Sequence, residues 1–117
     1  MRQWMVDPKV LCNKHLFGEH VEHHMFVGTI NKGTKVDGYL KNNLLEPLSL
    51  KDRHDELAQE ILMRGFNHKS DLPEIDYSHL TEIQMDIKIN MISSGNDLIS
   101  RCEKCRDRYI KEIKNDF

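Results

Sequence analysis

The stretch LCNKHLFGEHVEHHMFVGTINKG, Leu11 to Gly33, constrains this chain more than any other. Apolar residues stand at Leu11, Leu16, Val21, Phe26, Val27 and Ile30. Neighbours three to five apart return to one side, which fits a helix better than the alternation of a strand. Asp7 can cap the start with Pro8 in the first turn, and Gly33 can end it. Gly18 sits inside the pattern at a cost of about 1 kcal/mol against Ala, and it allows close approach of a backbone or a ligand. The stretch also holds His15, His20, His23 and His24, with Glu19 and Glu22. On a helix His15, Glu19 and Glu22 share one face. A carboxylate beside an imidazole can hold a cation, orient a base or move a proton. An ionic row facing water is the commoner use of such spacing.

The remaining chain supplies a scaffold and a basic segment. At 117 residues it suits one domain, 1–117, with a modest core. Charged residues make up 31% and hydrophobic ones 38%, which excludes a disordered class. No apolar run approaches the roughly 20 residues of a membrane span. The opening MRQWMVDPK lacks the apolar centre of a signal peptide, so the expected location is intracellular and cytoplasmic. Ser49 to Arg64 reads as the clearest helix. Ser49 and Asp52 resemble a capping box, Leu50, Leu57, Ile61 and Leu62 form an apolar face, and Gly65 ends it. Residues 31–49 and 66–82 read as loops. Lys32, Lys35 and Lys41 make the first mildly basic, and His68 and Lys69 in the second can reach a phosphate. The run MDIKIN is the only candidate strand, and a lone strand is not expected to persist. The last helix is expected over 96–115, capped by Asn96, with a seam of Leu98, Cys102, Cys105, Tyr109 and Ile113. It is the most basic segment, and Arg101 and Arg108 are candidates for DNA phosphates.

Two properties bear on chemistry. The formal net charge is −2, so nucleic-acid binding needs a local basic face, since no general one exists. Three cysteines, Cys12, Cys102 and Cys105, do not read as a disulfide framework. Cys102 and Cys105 form a single CxxC, half of a zinc site, which the histidines could complete; His20 and His24 could also bind a metal alone. The cysteines equally fit the apolar seam, and the expectation is no metal and no cofactor.

Two blocks then carry a resemblance. His15-Leu16, Glu19 and Glu22, followed by Val27-Gly28 and Lys32, resemble the first helix of the pyrimidine-dimer DNA glycosylases, the phage endonuclease V type. Arg53, Glu56-Leu57, Glu60, Leu62 and Arg64-Gly65-Phe66-Asn67 are similar to that family's central helix and its exit. The blocks occur in the family's order and cover under half of the chain. Val21 and Met25 depart from the pattern, standing where the family has arginines.

The resemblance implies an all-α single domain with three principal helices, about 8–32, 50–64 and 96–115, joined by long loops. It implies a DNA repair glycosylase with AP-lyase activity, in which an N-terminal amine attacks the sugar C1′ and forms a Schiff base. Met1 aligns with the family's processed terminal threonine and Arg2 with the arginine beside it. Free α-amines have a reference pKa of about 7.7–8.0, so a fraction is nucleophilic near neutral pH. Glu22 takes the place of the catalytic carboxylate. Arg2, His15 and Glu19 are expected around the substrate, together with Arg101 and Arg108. The expected partner is double-stranded DNA carrying damaged or abasic sites, bound by a monomer. The alternative is a catalytically lapsed DNA- or protein-binding module on the same scaffold.

Overall fold

Helix α1 (Asn13–Asn31) is the longest element and contributes to both clusters of the core. The computed structural model describes residues 1–68 and 70–115. The elements that follow are α2 (Asp37–Lys41), α3 (Leu50–Met63), α4 (Glu82–Met85), α5 (Met91–Arg101) and α6 (Glu103–Asn115). Short 3-10 turns at Pro8–Val10, Pro47–Ser49 and Tyr77–His79 precede α1, α3 and α4. The described chain is all-α, with no strand among the described residues. None of its helices is long and apolar enough to cross a membrane.

The two ends of α1 belong to different core clusters. Leu16 joins Trp4, Leu11, Leu57, Ile61 and Leu98 at one end. Phe26, Val27 and Ile30 join Val36, Leu45 and Leu50 at the other. Fully burying such a side chain contributes about 1.5–3 kcal/mol, so these clusters hold the helices together. Between them α1 also buries Glu19, His20 and His23. Buried polar groups on an otherwise apolar side explain why the sequence period is irregular.

Local signals correct several expected boundaries. Asp7 does cap a helical turn, accepting from the Lys9 amide at 3.0 Å, but that turn is the 3-10 segment, and α1 starts later, after Cys12. Ser49 does not cap α3; its hydroxyl is bonded to the Glu46 carboxylate, and the preceding 3-10 turn replaces the capping box. A capping box is formed elsewhere, between Thr81 and Gln84 of α4. The single helix expected over 96–115 is two. Asn90, not Asn96, caps α5 by accepting from the Ser93 amide, and the chain turns extended at Cys102 before α6. The run MDIKIN becomes the end of α4 and the link to α5. Gly33 and Gly65 do end α1 and α3. Both have positive φ, 75° and 89°, and both close Schellman pairs of hydrogen bonds: Thr34 to Thr29 with Gly33 to Ile30, and Phe66 to Ile61 with Gly65 to Leu62.

The first residues are threaded into the protein and do not fray. Gln3 is fully buried and Trp4 nearly so. The Gln3 amide donates to the Leu44 carbonyl at 2.8 Å, and its side-chain oxygen accepts from the Glu46 amide at 2.5 Å. The Gln3 side-chain nitrogen lies 3.1 Å from His23 Nε2, while His23 Nδ1 lies 2.8 Å from the Glu19 carbonyl. A carbonyl only accepts, so Nδ1 donates and the neutral ring's Nε2 accepts from Gln3. Burial pushes the His23 pKa down to about 4, which keeps that ring neutral. Ser94 of α5 donates to the Trp4 carbonyl at 2.6 Å, and Arg53 of α3 donates to the Val6 carbonyl at 2.6 Å. Met5, at φ 57°, provides the kink between these anchors.

Candidate active site

Anchoring the first residues brings the chain terminus to the side of α1. The Met1 nitrogen lies 3.9 Å from Glu22 Oε1, and the Arg2 amide donates to Glu22 Oε2 at 3.3 Å. One carboxylate therefore faces the nitrogens of both opening residues. It stands at the wall of an open cavity of about 510 Å³. Met1, Arg2, His15, Glu19, Glu22 and Arg101 all line that cavity. Of the expected site residues only Arg108 lies elsewhere, donating to the Lys9 carbonyl at 2.8 Å and lining a separate surface hollow with Lys111. Lys69 lies outside the described residues.

The helical spacing of His15, Glu19 and Glu22 does put them on one wall, yet the three are held differently. Glu22 is half-buried and open to the cavity. Glu19 is fully buried in a bidentate pair with Arg53, at 2.6 and 2.9 Å. Burial alone would lower the Arg53 pKa, but the Glu19 hydrogen bonds and charge, helped by Glu56, raise it. His15 packs edge-on against Trp4, with ring centroids 5.7 Å apart, and its Nδ1 points at Cys12 and Cys105. Burial and the neighbouring Lys14 lower its pKa against the opposing pull of Glu22 and Glu19.

Arg2 is a building part of the wall. Its guanidinium lies 3.6 Å from the Trp4 ring centroid and bonds Asp97 at 2.8 Å and Ser94 at 3.1 Å. Arg101 shares Asp97 at 2.7 Å but is two-thirds exposed at the rim. Lys14 and Arg101 give the cavity a basic rim on a protein of net negative charge. Trp4, Lys14, Gly18 and Leu44 also line it, and sequence reasoning assigned none of them to a site. Gly18 offered a signal. A Cβ there would meet no atom within 4 Å, so its small size opens the cavity and serves no packed backbone.

A family model described as pyrimidine dimer DNA glycosylase matches residues 1–74, well over half of the chain. The chain belongs to this family. The match spans Met1, Arg2, His15, Glu19, Glu22 and Arg53, and the glycosylase family thereby accounts for most of the cavity wall. Arg101 and Arg108 fall outside it. Neither the curated proteins nor the solved structures yield a significant match.

The Glu19–Arg53 pair sets a prediction about the glycosylase scaffold. Arg53→Met leaves a fully buried carboxylate without its partner. Breaking one side of such a pair typically costs about 3–5 kcal/mol. Urea unfolding should show that loss. Replacing both partners, Glu19→Leu with Arg53→Met, should recover most of it. A loss in Arg53→Met no larger than the roughly 0.2–1 kcal/mol of an exposed pair would show that the ion pair does not hold α1 to α3.

Proposed function

We propose that this glycosylase also cleaves the DNA strand at the lesion, using the Met1 α-amine as nucleophile and Glu22 as acid/base. The observation that carries the reading is the 3.9 Å approach of the Met1 nitrogen to the Glu22 carboxylate in a basic-rimmed cavity. The amine nitrogen forms a bond to the sugar C1′ as the C1′–base bond breaks, and the base leaves with the bonding pair and a proton. Loss of the amine's protons and opening of the sugar ring give the C1′ Schiff base. Removal of a C2′ proton then expels the 3′ phosphate oxygen by β-elimination. Glu22 faces the charge that develops on the sugar and moves the protons in ring opening and elimination. The damaged nucleotide has to leave the stack to reach this cavity, so the duplex is bent or the nucleotide flipped. Arg2, His15 and Glu19 position the wall, and Arg101 meets a phosphate at the rim.

Untagged protein incubated with a duplex carrying one cyclobutane pyrimidine dimer should nick at the dimer and leave an undamaged duplex intact. Binding without nicking would instead favour a lapsed module on the same scaffold. Binding itself should depend steeply on salt through the rim. Each phosphate contact contributes about −0.9 to the slope of log K against log salt, so Arg101→Ala should flatten the slope by about that amount. Arg108→Ala, away from the cavity, should change it less. Equal effects of the two substitutions would place the DNA along α6 and not across the cavity.

A further inference from the structure

Cys12, His15, Cys102 and Cys105 converge from two pairs of residues with the same helical placement. Cys12 immediately precedes α1 and His15 lies in its first turn; Cys102 immediately precedes α6 and Cys105 lies in its first turn. Their ligand atoms all lie within 4.8 Å of one another. Cys12 Sγ is 3.2 Å from His15 Nδ1 and 3.9 Å from Cys102 Sγ, and Cys105 Sγ is 3.5 Å from His15 Nδ1. A tetrahedral zinc ion with ordinary Zn–S and Zn–N bonds has S···N and S···S edges of about 3.5–3.8 Å. The observed edges bracket these values. Backbone amides already point at two of the sulfurs: Cys12 N–H at Cys105 Sγ, 3.2 Å, and Cys105 N–H at Cys102 Sγ, 3.4 Å. Such donors and the positive ends of α1 and α6 favour thiolates, the form that binds metal, and they work against the burial that pushes the Cys105 thiol up.

We propose that these four residues hold a structural zinc ion in a Cys3His site. The site joins the Cys102–Cys105 CxxC to a CxxH made by Cys12 and His15, so the histidine that completes the half-site is His15. The ion ties α6 to the start of α1. Cys105 is the only buried residue of α6 among those described, so the ion sits where that helix enters the core. It also fixes the His15 ring in the cavity wall. Cys102 and Cys105 lie beyond the stretch that matches the family model, so the match does not account for the site.

A different observation carries a second site. His20 and His24 of α1, His54 of α3 and His68 form a knot of imidazoles on the other side of α1. The Nε2 atoms of all four are buried and have no hydrogen-bond partner. Leaving a buried polar atom unpaired is costly, and here four accumulate in one place. Five of the six ring pairs have centroids 4.7–5.2 Å apart. Imidazoles bound to one tetrahedral ion through Nε2 have centroids about 5.2 Å apart. His54 Nδ1 contacts Asp55 at 3.0 Å, the carboxylate support common behind metal-bound histidine. We infer that His20, His54 and His68, whose ligand atoms all lie within 4.8 Å of one another, bind one divalent transition-metal ion of the kind imidazole prefers, zinc, nickel or copper, with the His24 ring packed against His20 and His54 beside it.

The tests use the untagged full chain, since a histidine tag would bind metal itself. Elemental analysis after expression with added zinc, followed by desalting, should find about two metal ions per chain. Cys102→Ser with Cys105→Ser should remove one, and His20→Asn with His54→Asn should remove the other. If those variants fail to fold, cobalt titration of the wild-type protein decides. The Cys3His site should give an intense thiolate-to-cobalt charge-transfer band that an organomercurial abolishes, and the histidine site tetrahedral d–d bands that survive it. Zinc should also protect all three thiols from a disulfide reagent. Wild-type protein that stays metal-free in excess zinc, with all thiols reactive, would overturn both sites. A Cys12–Cys102 disulfide in freshly isolated protein would overturn the first alone, and cobalt bands wholly lost to the organomercurial the second alone.

Discussion

Glu22→Gln is expected to slow strand cleavage at an abasic site by about 10²–10⁴-fold, the usual cost of losing a positioned acid/base, while the fold survives. The fold is expected to survive because the contacts Glu22 makes are with the Met1 nitrogen and the Arg2 amide, and Gln keeps an oxygen to accept from that amide. Gln could neither carry a negative charge to face a sugar cation nor accept a C2′ proton, the roles proposed for Glu22. Circular dichroism and a urea midpoint serve as controls. Cleavage within a few-fold of wild type would remove Glu22 from the mechanism, and parallel loss of cleavage and stability would assign it to the scaffold.

Capping the Met1 amine is expected to have the larger effect, reducing cleavage to background. In the proposed mechanism acetylation removes the lone pair that would attack C1′. A tag ahead of Met1 does the same and forces extra chain into a cavity whose wall is the terminus itself. The Met1 side chain packs against the Phe26 cluster and is only 14% exposed, which holds the amine at the cavity where added residues would lie. An extension after α6 should be harmless, because residues 103–115 do not line the cavity. Side-chain changes at Met1 that keep a free amine should cost much less than capping, since the thioether takes no part in the covalent step. A capped protein that cleaves like the free one would move the nucleophile elsewhere.

The parts of this architecture legible in the sequence are those written in short-range signals. Gly33 and Gly65 end their helices because a positive φ is cheapest at glycine, and that is readable from one position. The spacing of His15, Glu19 and Glu22 placed them on one wall for the same local reason. The N-terminal anchoring was not legible. Gln3 is buried through Leu44, Glu46 and His23, and Trp4 through Ser94 and the first core cluster, all far away in sequence. The Ser49 cap failed because Glu46, three residues earlier, takes its hydroxyl. The break at Cys102 was hidden because the seam Leu98, Cys102, Cys105 satisfies helical spacing on either side of it. Leu98 and Cys105 are buried as that seam requires, whereas Tyr109 and Ile113 are not. Similarly Leu62 continues the apolar face of α3 on paper but is half-exposed. Arg2 was expected around the substrate from its register with the family, and its guanidinium's bonds to Asp97 and Ser94 and its stacking on Trp4, all tertiary, were not readable.

Covalent trapping tests the assignment of the nucleophile most directly. Untagged protein is incubated with a duplex containing an abasic site in the presence of borohydride, and the reduced adduct is digested and mapped. Attack by the terminal amine predicts a DNA adduct on the N-terminal peptide, attached through the Met1 nitrogen and missing from capped protein. An adduct on Lys14, whose amine belongs to the same cavity wall, or on any other lysine, would contradict it, as would the absence of any adduct from uncapped protein that cleaves the DNA.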